Sequence, residues 1–376
     1  MSTRAHATSR ALFLGAGASR AFGYPLTGDI LPHIRTGLND GSLLPLESNS
    51  KRERAKMKRL REHLGTLLPA FFDDDIELPL ITDVLSLIDL LLTTGEVAVP
   101  MLSTEEMEDL RTLLEEAIIY SIEPASGEMQ ESAALDRLTD WILNAADEGA
   151  ALTIVSTNYD TVVESLVFEK IEMDPELELN HVVDMGFSWR EHSTGRYLEA
   201  VNQPPADPRV RLFKLHGSVS WLKCPLCGFI YIDTVGSIVQ QAFREDKIDY
   251  NNTCVCGHGP VRPVIVAPSM VRTIKDADLL TIWRSALEAM RVADEWIIVG
   301  YSLPPEDIAI RSILLRAYSG RGKKGKHPRI TVVQKSEDKK LQDRYRLLFP
   351  ECTFEYGGFE AFIETLPKPK KHYPVF

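Results

Sequence analysis

The sequence lacks any apolar run long enough to cross a bilayer, and it has few cysteines for its length. Its first apolar stretch, 11–14, is too short for a secretory signal and leads directly into a glycine turn. We therefore expect a cytoplasmic protein that does not contact a membrane. The five cysteines among 376 residues argue against a disulfide framework. Four of them form two close pairs, and the isolated Cys352 is expected to be a buried apolar residue.

Positive charge is also scarce, since 42 Lys and Arg stand against 54 Asp and Glu, which gives a formal net charge of −12 at pH 7. An acidic surface repels phosphate backbones, so we expect no direct binding of nucleic acid. Basic residues cluster at 51–61 and 320–329, where a solvated helix face and a solvated loop account for them. No internal repeat or low-complexity segment occurs. The 44% apolar content permits a sizeable core.

Four short apolar, β-branched runs are each followed by a polar or glycine-rich turn and then by helix-like sequence. Such runs are typical of a parallel sheet that helices cover on both faces. We therefore predict an α/β fold with a doubly wound, Rossmann-like core, which binds ligands beyond the carboxyl ends of its strands. The four runs are ALFL (11–14), ALTIV (151–155), EWIIVG (295–300) and RITVV (329–333).

The long interval between the first two predicted strands shows only helical spacing of apolar residues. Ser103 or Thr104 can cap the third of its helices, because acidic residues fill the first turn. The first three helices are interpreted as an insertion, and the fourth leads back into the sheet. The four helical segments are 51–72, 81–95, 103–122 and 132–149.

The first strand ends in GAGAS (15–19), a glycine-rich turn before a predicted helix. Gly15 and Gly17 let the backbone turn sharply and approach a phosphate, toward which the helix directs free N–H groups and its positive end. The dinucleotide pattern G-x-G-x-x-G is incomplete, because Arg20 occupies its last position. A tight turn from strand to helix without a ligand explains the same residues equally well.

Polar residues follow the second strand and a later one. STNYD (156–160) would project Asn158 and Asp160 into the crevice that the glycine turn faces, where they could bind a ribose hydroxyl, a water or a carboxamide. The alternative is that they only cap the next helix. His216 follows RLFKL (211–215) at a strand end, a position that suits proton transfer near neutral pH, although a lone histidine is often structural.

Cysteine spacing predicts a metal site. Cys224 and Cys227 form a Cys-x-x-Cys pair, and Cys254 and Cys256 form a tighter Cys-x-Cys pair for which His258 is a possible substitute ligand. Thiolate pairs separated by a loop suit tetrahedral zinc. Four protein ligands leave no open position, so the ion would be structural.

These patterns divide the chain into four predicted parts. They are a Rossmann-like core (9–30, 134–220 and 262–366), a helical insertion (31–133), a small zinc-ribbon-like module (221–261) and a C-terminal tail (367–376).

Taken in order, the motifs resemble those of sirtuins. GAGASRAFGYP (15–25) resembles GAGIS-xxx-GIP of that family, STNYD resembles TQNID, and KLHGS (214–218) matches its HG motif. The cysteine module follows at once, as in the family. GPVRPVIVAPS (259–269) and VGYSL (299–303) are similar to the later segments GxxRPxIVxFGE and GTSL.

The resemblance implies a role for each matching residue. Asn158 and His216 would be catalytic and would contact the nicotinamide ribose of NAD. The pyrophosphate would lie on Gly15, Ala16, Gly17, Ala18 and Ser19. Thr157 stands where the family has glutamine and is assigned to the NAD site with Asp160, Gly300, Ser302 and Gln334. Structural zinc would be held by Cys224, Cys227, Cys254 and Cys256.

Departures from the family pattern lie in the half that faces an acyl peptide. Leu26, Thr27 and Gly28 replace Asp-Phe-Arg, and residues 267–269 replace the Phe-Gly-Glu of the peptide clamp. There, Pro268 cannot donate a strand hydrogen bond. With the helical insertion, this pattern is similar to the divergent sirtuin-like proteins of bacterial anti-phage defence, which cleave NAD without an acyl acceptor. Those proteins act as oligomers, alone or with a partner such as a HerA-type ATPase or an Argonaute-like protein.

The sequence thus predicts an NAD⁺ hydrolase that releases nicotinamide and ADP-ribose as a gated defence effector. The insertion and the basic loop at 320–329 are its candidate contact surfaces. Two alternatives are an NAD-dependent protein deacylase and a non-catalytic NAD-binding regulatory subunit. Products formed from NAD, with and without an acyl-lysine peptide, distinguish the three.

Overall fold

The computed structural model describes eleven stretches of the chain, and every structural statement below concerns these residues. They are 8–43, 51–94, 102–126, 133–145, 152–193, 196–197, 201–232, 254–257, 261–265, 276–320 and 326–367.

Strands alternate with helices along most of the described chain. The strands are β1 (Arg10–Leu14), β2 (Leu152–Ser156), β3 (Val183–Asp184), β4 (Trp189–Ser193), β5 (Arg196–Tyr197), β6 (Val210–Lys214), β7 (Gly217–Lys223), β8 (Ile230–Ile232), β9 (Arg262–Ile265), β10 (Glu295–Val299), β11 (Arg329–Gln334) and β12 (Thr353–Tyr356). The helices are α1 (Ala16–Ser19), α2 (Thr27–Asp40), α3 (Lys51–Leu67), α4 (Ile81–Thr94), α5 (Thr104–Ser126), α6 (Ala133–Asn144), α7 (Val162–Met173), α8 (Leu179–Val182), α9 (Ala277–Val292), α10 (Ile308–Ser319), α11 (Lys339–Leu348) and α12 (Gly358–Thr365).

Seven strands form one parallel sheet in the order β12-β11-β10-β1-β2-β6-β3. The four predicted strands correspond to β1, β2, β10 and β11, of which β1, β2 and β10 are almost completely buried and β11 is half buried. Helices flank the sheet, with α9 packed on β2 and β6 and α12 packed on β11. The predicted doubly wound α/β fold is therefore confirmed.

The strand order places a switch point between β1 and β10. From β1 the chain runs outward through β2 and β6, and it later returns to β10 on the opposite side of β1. The connections that follow β1 and β10 lead to opposite sides of β1, and a crevice forms beyond the carboxyl ends of the strands at such a switch point. This crevice is the expected ligand position in such sheets.

The predicted helices between β1 and β2 are present. Helix α5 packs against α2, α3 and α4 through an apolar stripe that includes the fully buried Leu110 and Leu114. Its start is a capping box, because the Glu106 N–H donates to Ser103 Oγ over 3.2 Å and Ser103 N–H donates to Glu106 Oε2 over 2.7 Å. Of the two predicted candidates, Ser103 and Thr104, the cap is therefore Ser103.

A second sheet, in the order β5-β4-β8-β7-β9, is formed by strands that lie between β3 and β10 in the chain. Its core includes Trp221, whose ring meets Phe187 edge to face at 4.8 Å between centroids. The two-residue link 215–216 joins β6 of the first sheet to β7 of the second. His216 thus lies at the junction of the sheets. The domain limits stay a prediction, and β7 spans the predicted boundary at 220/221.

No helix in the described stretches is both long enough and apolar enough to cross a bilayer.

Candidate functional site

A cavity of about 610 Å³ lies at the carboxyl ends of β1, β2 and β10. Ten residues predicted from separate motifs line it, although up to 318 positions separate them in the chain. Gly15 and Ala18 were predicted with them but do not line it, and Ala18 is buried in the core. The ten are Ala16, Gly17, Ser19, Thr157, Asn158, Asp160, His216, Gly300, Ser302 and Gln334.

A chain of buried hydrogen bonds ties the turn after β1 to the turn after β2. The Asn158 amide nitrogen donates to Gly15 O over 3.0 Å and to Ser19 Oγ over 2.8 Å. Ser19 Oγ in turn donates to Asp160 Oδ2 over 2.6 Å. Because Gly15 O can only accept, the Asn158 amide is oriented, and its Oδ1 is the acceptor that it can present to a ligand. The two turns therefore form one rigid wall of the cavity.

Asp160 makes a backbone contact at the start of α7 and also lines the cavity. Its Oδ1 accepts the Val162 N–H over 3.2 Å at the start of α7, which is a capping contact. Its Oδ2 binds Ser19, and the residue also lines the cavity. Burial raises the pKa of the Tyr24 phenol, and the negative charge of the Asp160 carboxylate raises it further. Tyr24 is therefore a protonated donor in the same wall at neutral pH.

His216 reaches the cavity from the junction of the two sheets. Its Nδ1 lies 3.0 Å from the Thr157 carbonyl oxygen. A carbonyl only accepts, so Nδ1 carries the hydrogen of this contact, and the lone pair of the neutral ring is on Nε2. The rings of Tyr159 and Trp283 lie 5.9 Å and 6.4 Å away, centroid to centroid. The imidazole is thus held in one tautomer as a candidate proton acceptor.

The glycine turn differs from its prediction in the use of its amides. Helix α1 is a single turn, followed by a 3-10 turn that ends at Gly23, a residue with left-handed backbone. The N–H groups of Gly15, Gly17 and Ala18 donate to backbone carbonyls over 2.9–3.0 Å. So short a helix has a small dipole, and these three amides are already bonded within the protein.

Gly300, at the end of β10, packs directly against the backbone of the glycine turn and must itself be glycine. Its φ is +63°, and a Cβ there would lie 2.1 Å from Ala18 N. We expect Gly300→Ala to lower the free energy of unfolding by about 3 kcal/mol, because the strain of a left-handed backbone and the steric overlap of the new methyl group add to each other. Gly23→Ala is the matched control, since its φ is +86° with no atom within 4 Å, and about 1 kcal/mol is expected. Equal losses of unfolding free energy in the two variants, measured by urea denaturation, would contradict this account.

Several cavity residues were not predicted from the sequence. Arg20 was noted only as an interruption of the glycine pattern, yet it lines the cavity and binds Asp29. Acidic and basic side chains at the other end come from the turns after β10 and β11 and from α12. The unpredicted charged residues are Arg20, Glu306, Asp307, Lys335 and Glu360.

The insertion also contributes to the cavity wall through Leu80, Thr82 and Ile122. No local pattern marks these residues, because their position depends on how α4 and α5 pack on the core. The residues that replace the Asp-Phe-Arg of the family pattern, Leu26, Thr27 and Gly28, line the same side.

The four paired cysteines form one cluster, in which the sulfur atoms all lie within 4.8 Å of one another. Cys224 and Cys256 Sγ are 3.7 Å apart, and Cys227 and Cys254 Sγ are 3.4 Å apart. A tetrahedral ion with bonds of about 2.3 Å to sulfur requires separations close to these. The cluster therefore fits a metal ion. His258, the alternative ligand, lies outside the described residues.

Comparisons with known proteins identify the family to which the chain belongs. A family model described as "SIR2-like domain" matches residues 152–352, more than half of the chain. Among solved structures, "Sir2-p53 peptide-NAD+" is similar at 13% identity and a TM-score of 0.40, covering 95% of this chain and 90% of that one. "Crystal structure of a Sir2 homolog-NAD complex" is similar at 12% identity and a TM-score of 0.38, covering 95% and 86%.

A search of curated proteins found no match. The family match begins at β2, so it includes the STNYD turn, KLHGS, the cysteines and VGYSL, whereas the glycine turn lies before it. The chain belongs to the family of proteins with a SIR2-like domain.

Proposed function

We propose that the protein hydrolyses NAD⁺ to nicotinamide and ADP-ribose. The observation that carries this proposal is the convergence of Asn158, His216 and the glycine turn on one cavity at the switch point of the sheet. Dinucleotides bind at such switch points. The titles of two similar structures name NAD as a ligand of those proteins, which supports the same ligand here.

In this reaction the bond between C1′ of the ribose and the nicotinamide nitrogen breaks, and nicotinamide leaves as a neutral molecule. The oxygen of a water forms the new bond to C1′ and loses a proton. His216 Nε2 would accept a proton, from that water or from a ribose hydroxyl, while its Nδ1–H remains bound to Thr157 O. The Asn158 side chain, held by Gly15 and Ser19, would orient the ribose or the water.

Arg20 would supply most of the positive charge that binds the pyrophosphate. The amides of Gly15, Gly17 and Ala18 are bonded to carbonyls, so the turn would offer close approach of its backbone more than free donors. Arg20 lies beside this turn in the cavity wall, and a guanidinium has five N–H donors for phosphate oxygens. One of them already contacts Asp29, which fixes the side chain.

Hydrolysis is favoured over deacylation by the residues around the nicotinamide end. Leu26, Thr27 and Gly28 replace the Asp-Phe-Arg of deacylases, and Leu80 and Ile122 of the insertion form cavity wall beside them. The altered peptide clamp at 267–269 lies outside the described residues. An apolar wall from the insertion would shield the reacting carbon from an acyl peptide and leave water as the acceptor.

The test is incubation of the purified chain with NAD⁺, alone and with the product of the neighbouring gene, followed by chromatography. We expect equal amounts of nicotinamide and ADP-ribose, and no acceleration by an acyl-lysine peptide. Acyl-ADP-ribose formed in the presence of that peptide would instead identify a deacylase. Saturable NAD binding without turnover in every assembly would identify a regulatory module and contradict hydrolysis.

We further propose that the activity is gated, because an unrestrained NAD hydrolase would deplete its own cell. The helical insertion suits this role, since it both forms cavity wall and lies outside the family match. Gating by a homo-oligomer or by a partner such as a HerA-type ATPase or an Argonaute-like protein is part of the defence role that we propose. Particle mass measured with NAD loss in the same samples tests it.

We also propose that the cysteine cluster holds zinc. The ion would be held by Cys224, Cys227, Cys254 and Cys256, would cross-link their two turns, and would have no open position for substrate. Tyr231, which is buried, has its hydroxyl oxygen 3.2 Å from Cys254 Sγ. That oxygen accepts the Val255 N–H over 3.1 Å, so its proton can be donated to the thiolate, as is common for groups that support metal ligands.

A further inference from the structure

A buried ion pair lies directly behind the candidate catalytic turn, and the proposed reaction does not use it. Lys214, the last residue of β6, is 1% exposed, and Glu164 on α7 is 3% exposed. Lys214 Nζ lies 2.6 Å from Glu164 Oε1. Burial raises the pKa of the Glu164 carboxyl, which Lys214 opposes. Lys214 stands only two positions before His216 in the chain.

The Lys214 ammonium also donates to the backbone of the turn that bears Asn158. It contacts the Asp160 carbonyl at short range and lies 3.4 Å from the Tyr159 carbonyl oxygen. It donates to Ser218 Oγ of β7 over 3.0 Å, and Ser218 Oγ donates to Glu164 Oε1 over 2.8 Å. One charged group therefore joins β6, β7, α7 and the turn after β2.

Fold stability alone does not explain such a pair. Removing two charges from water costs several kcal/mol for each ion, and apolar replacements of similar volume are often as stable. What an apolar pair cannot provide is a directional donor to main-chain carbonyls. The Tyr159 carbonyl also accepts the Val219 N–H over 2.9 Å, so the turn is fixed on β7 from two directions.

We propose that Lys214 and Glu164 are positioning residues, which hold the 158–160 turn against the link that bears His216. Asn158 and His216 then keep the relative placement that one ribose requires. This inference rests on the proposed NAD hydrolysis. A displacement of about 1 Å in such a pair costs about 100-fold in rate, so the expected effect is on kcat and not on the affinity for product.

The test uses the double variant Lys214→Met/Glu164→Gln, which removes the donor without leaving an unpaired buried carboxylate. We expect kcat to fall about 100-fold, while the dissociation constant for ADP-ribose changes by less than about threefold. Hydrogen exchange of the backbone amides at 157–162 is expected to accelerate, whether or not NAD is cleaved. The matched control is Lys56→Met/Glu116→Gln, a second buried pair at 3.1 Å in the insertion.

The control pair is expected to lower the thermal midpoint to a similar extent and to leave kcat unchanged. Loss of kcat with faster exchange at 157–162 in the Lys214 variant alone supports positioning. Unchanged exchange in that segment, or an equal loss of kcat in the control, overturns it. If the parent protein does not cleave NAD, the proposed function fails, and the exchange result still decides whether the pair holds the turn.

Discussion

Replacing His216 with asparagine is expected to reduce NAD cleavage by about 10²–10⁴-fold, the range that a general base contributes. Asparagine can place an amide N–H near the position of Nδ1, so the hydrogen bond to Thr157 O can be retained. What the change removes is Nε2, the nitrogen proposed to accept a proton. Measured kcat should therefore fall, while the affinity for ADP-ribose and the thermal midpoint change little.

Asn158→Ala is expected to behave differently, because Asn158 supports the glycine turn in addition to its proposed catalytic role. The change removes the donor to Gly15 O and Ser19 Oγ, both at buried positions. We expect a loss of activity together with a loss of about 1–3 kcal/mol of stability from the broken buried hydrogen bonds. The contrast between the two variants separates proton transfer from support of the glycine turn.

The control for His216 is His63→Ala, since His63 is a largely buried histidine that pairs with Asp109 over 3.3 Å in the insertion. That variant should retain activity. The catalytic account would be wrong if His216→Asn hydrolysed NAD at the parental rate in an assembly that is active.

Features of the fold that depend on local pattern were predicted well. The strands were predicted from continuous β-branched runs, and a cap at Ser103 or Thr104 was predicted from a polar residue before acidic ones, of which Ser103 is the cap. The convergence of separate motifs followed from a single rule, that carboxyl ends of parallel strands share one edge. The cluster of four cysteines could be predicted because a metal site needs only a few residues at defined spacing.

Features that depend on long-range packing were not predicted. Lys214 is part of KLHGS, but nothing in that motif shows that its ammonium is buried against Glu164, 50 positions earlier. The wall formed by Leu80 and Ile122 depends on the docking of the whole insertion. The use of the turn's amides was not foreseen either, because the left-handed Gly23 ends the helical segment before a sizeable dipole can build up.

The second prediction with a large expected effect concerns the cysteine cluster, which lies at one end of the second sheet and holds it together. Cys224 directly follows β7, and its buried side chain contacts the sulfur of Cys256. The hydroxyl of Tyr231 on β8 contacts Cys254, so the end of β7 and the adjoining strand β8 both lie at the cluster. Since β7 begins immediately after His216, loosening of this end would be transmitted to the start of the strand beside the cavity.

Cys224→Ser is therefore expected to remove bound zinc and to lower the free energy of unfolding by on the order of 5 kcal/mol, part of the about 10–16 kcal/mol that structural zinc contributes in small modules. Elemental analysis of the purified protein and chemical denaturation measure the two effects. Cys352→Ser is the control, because Cys352 is a buried cysteine outside the cluster and should cost about 1 kcal/mol without loss of metal. One equivalent of zinc retained by Cys224→Ser would contradict a structural zinc site, because a site of four cysteine ligands cannot lose a buried ligand without loss of affinity. A parent protein that binds no zinc would contradict it as well.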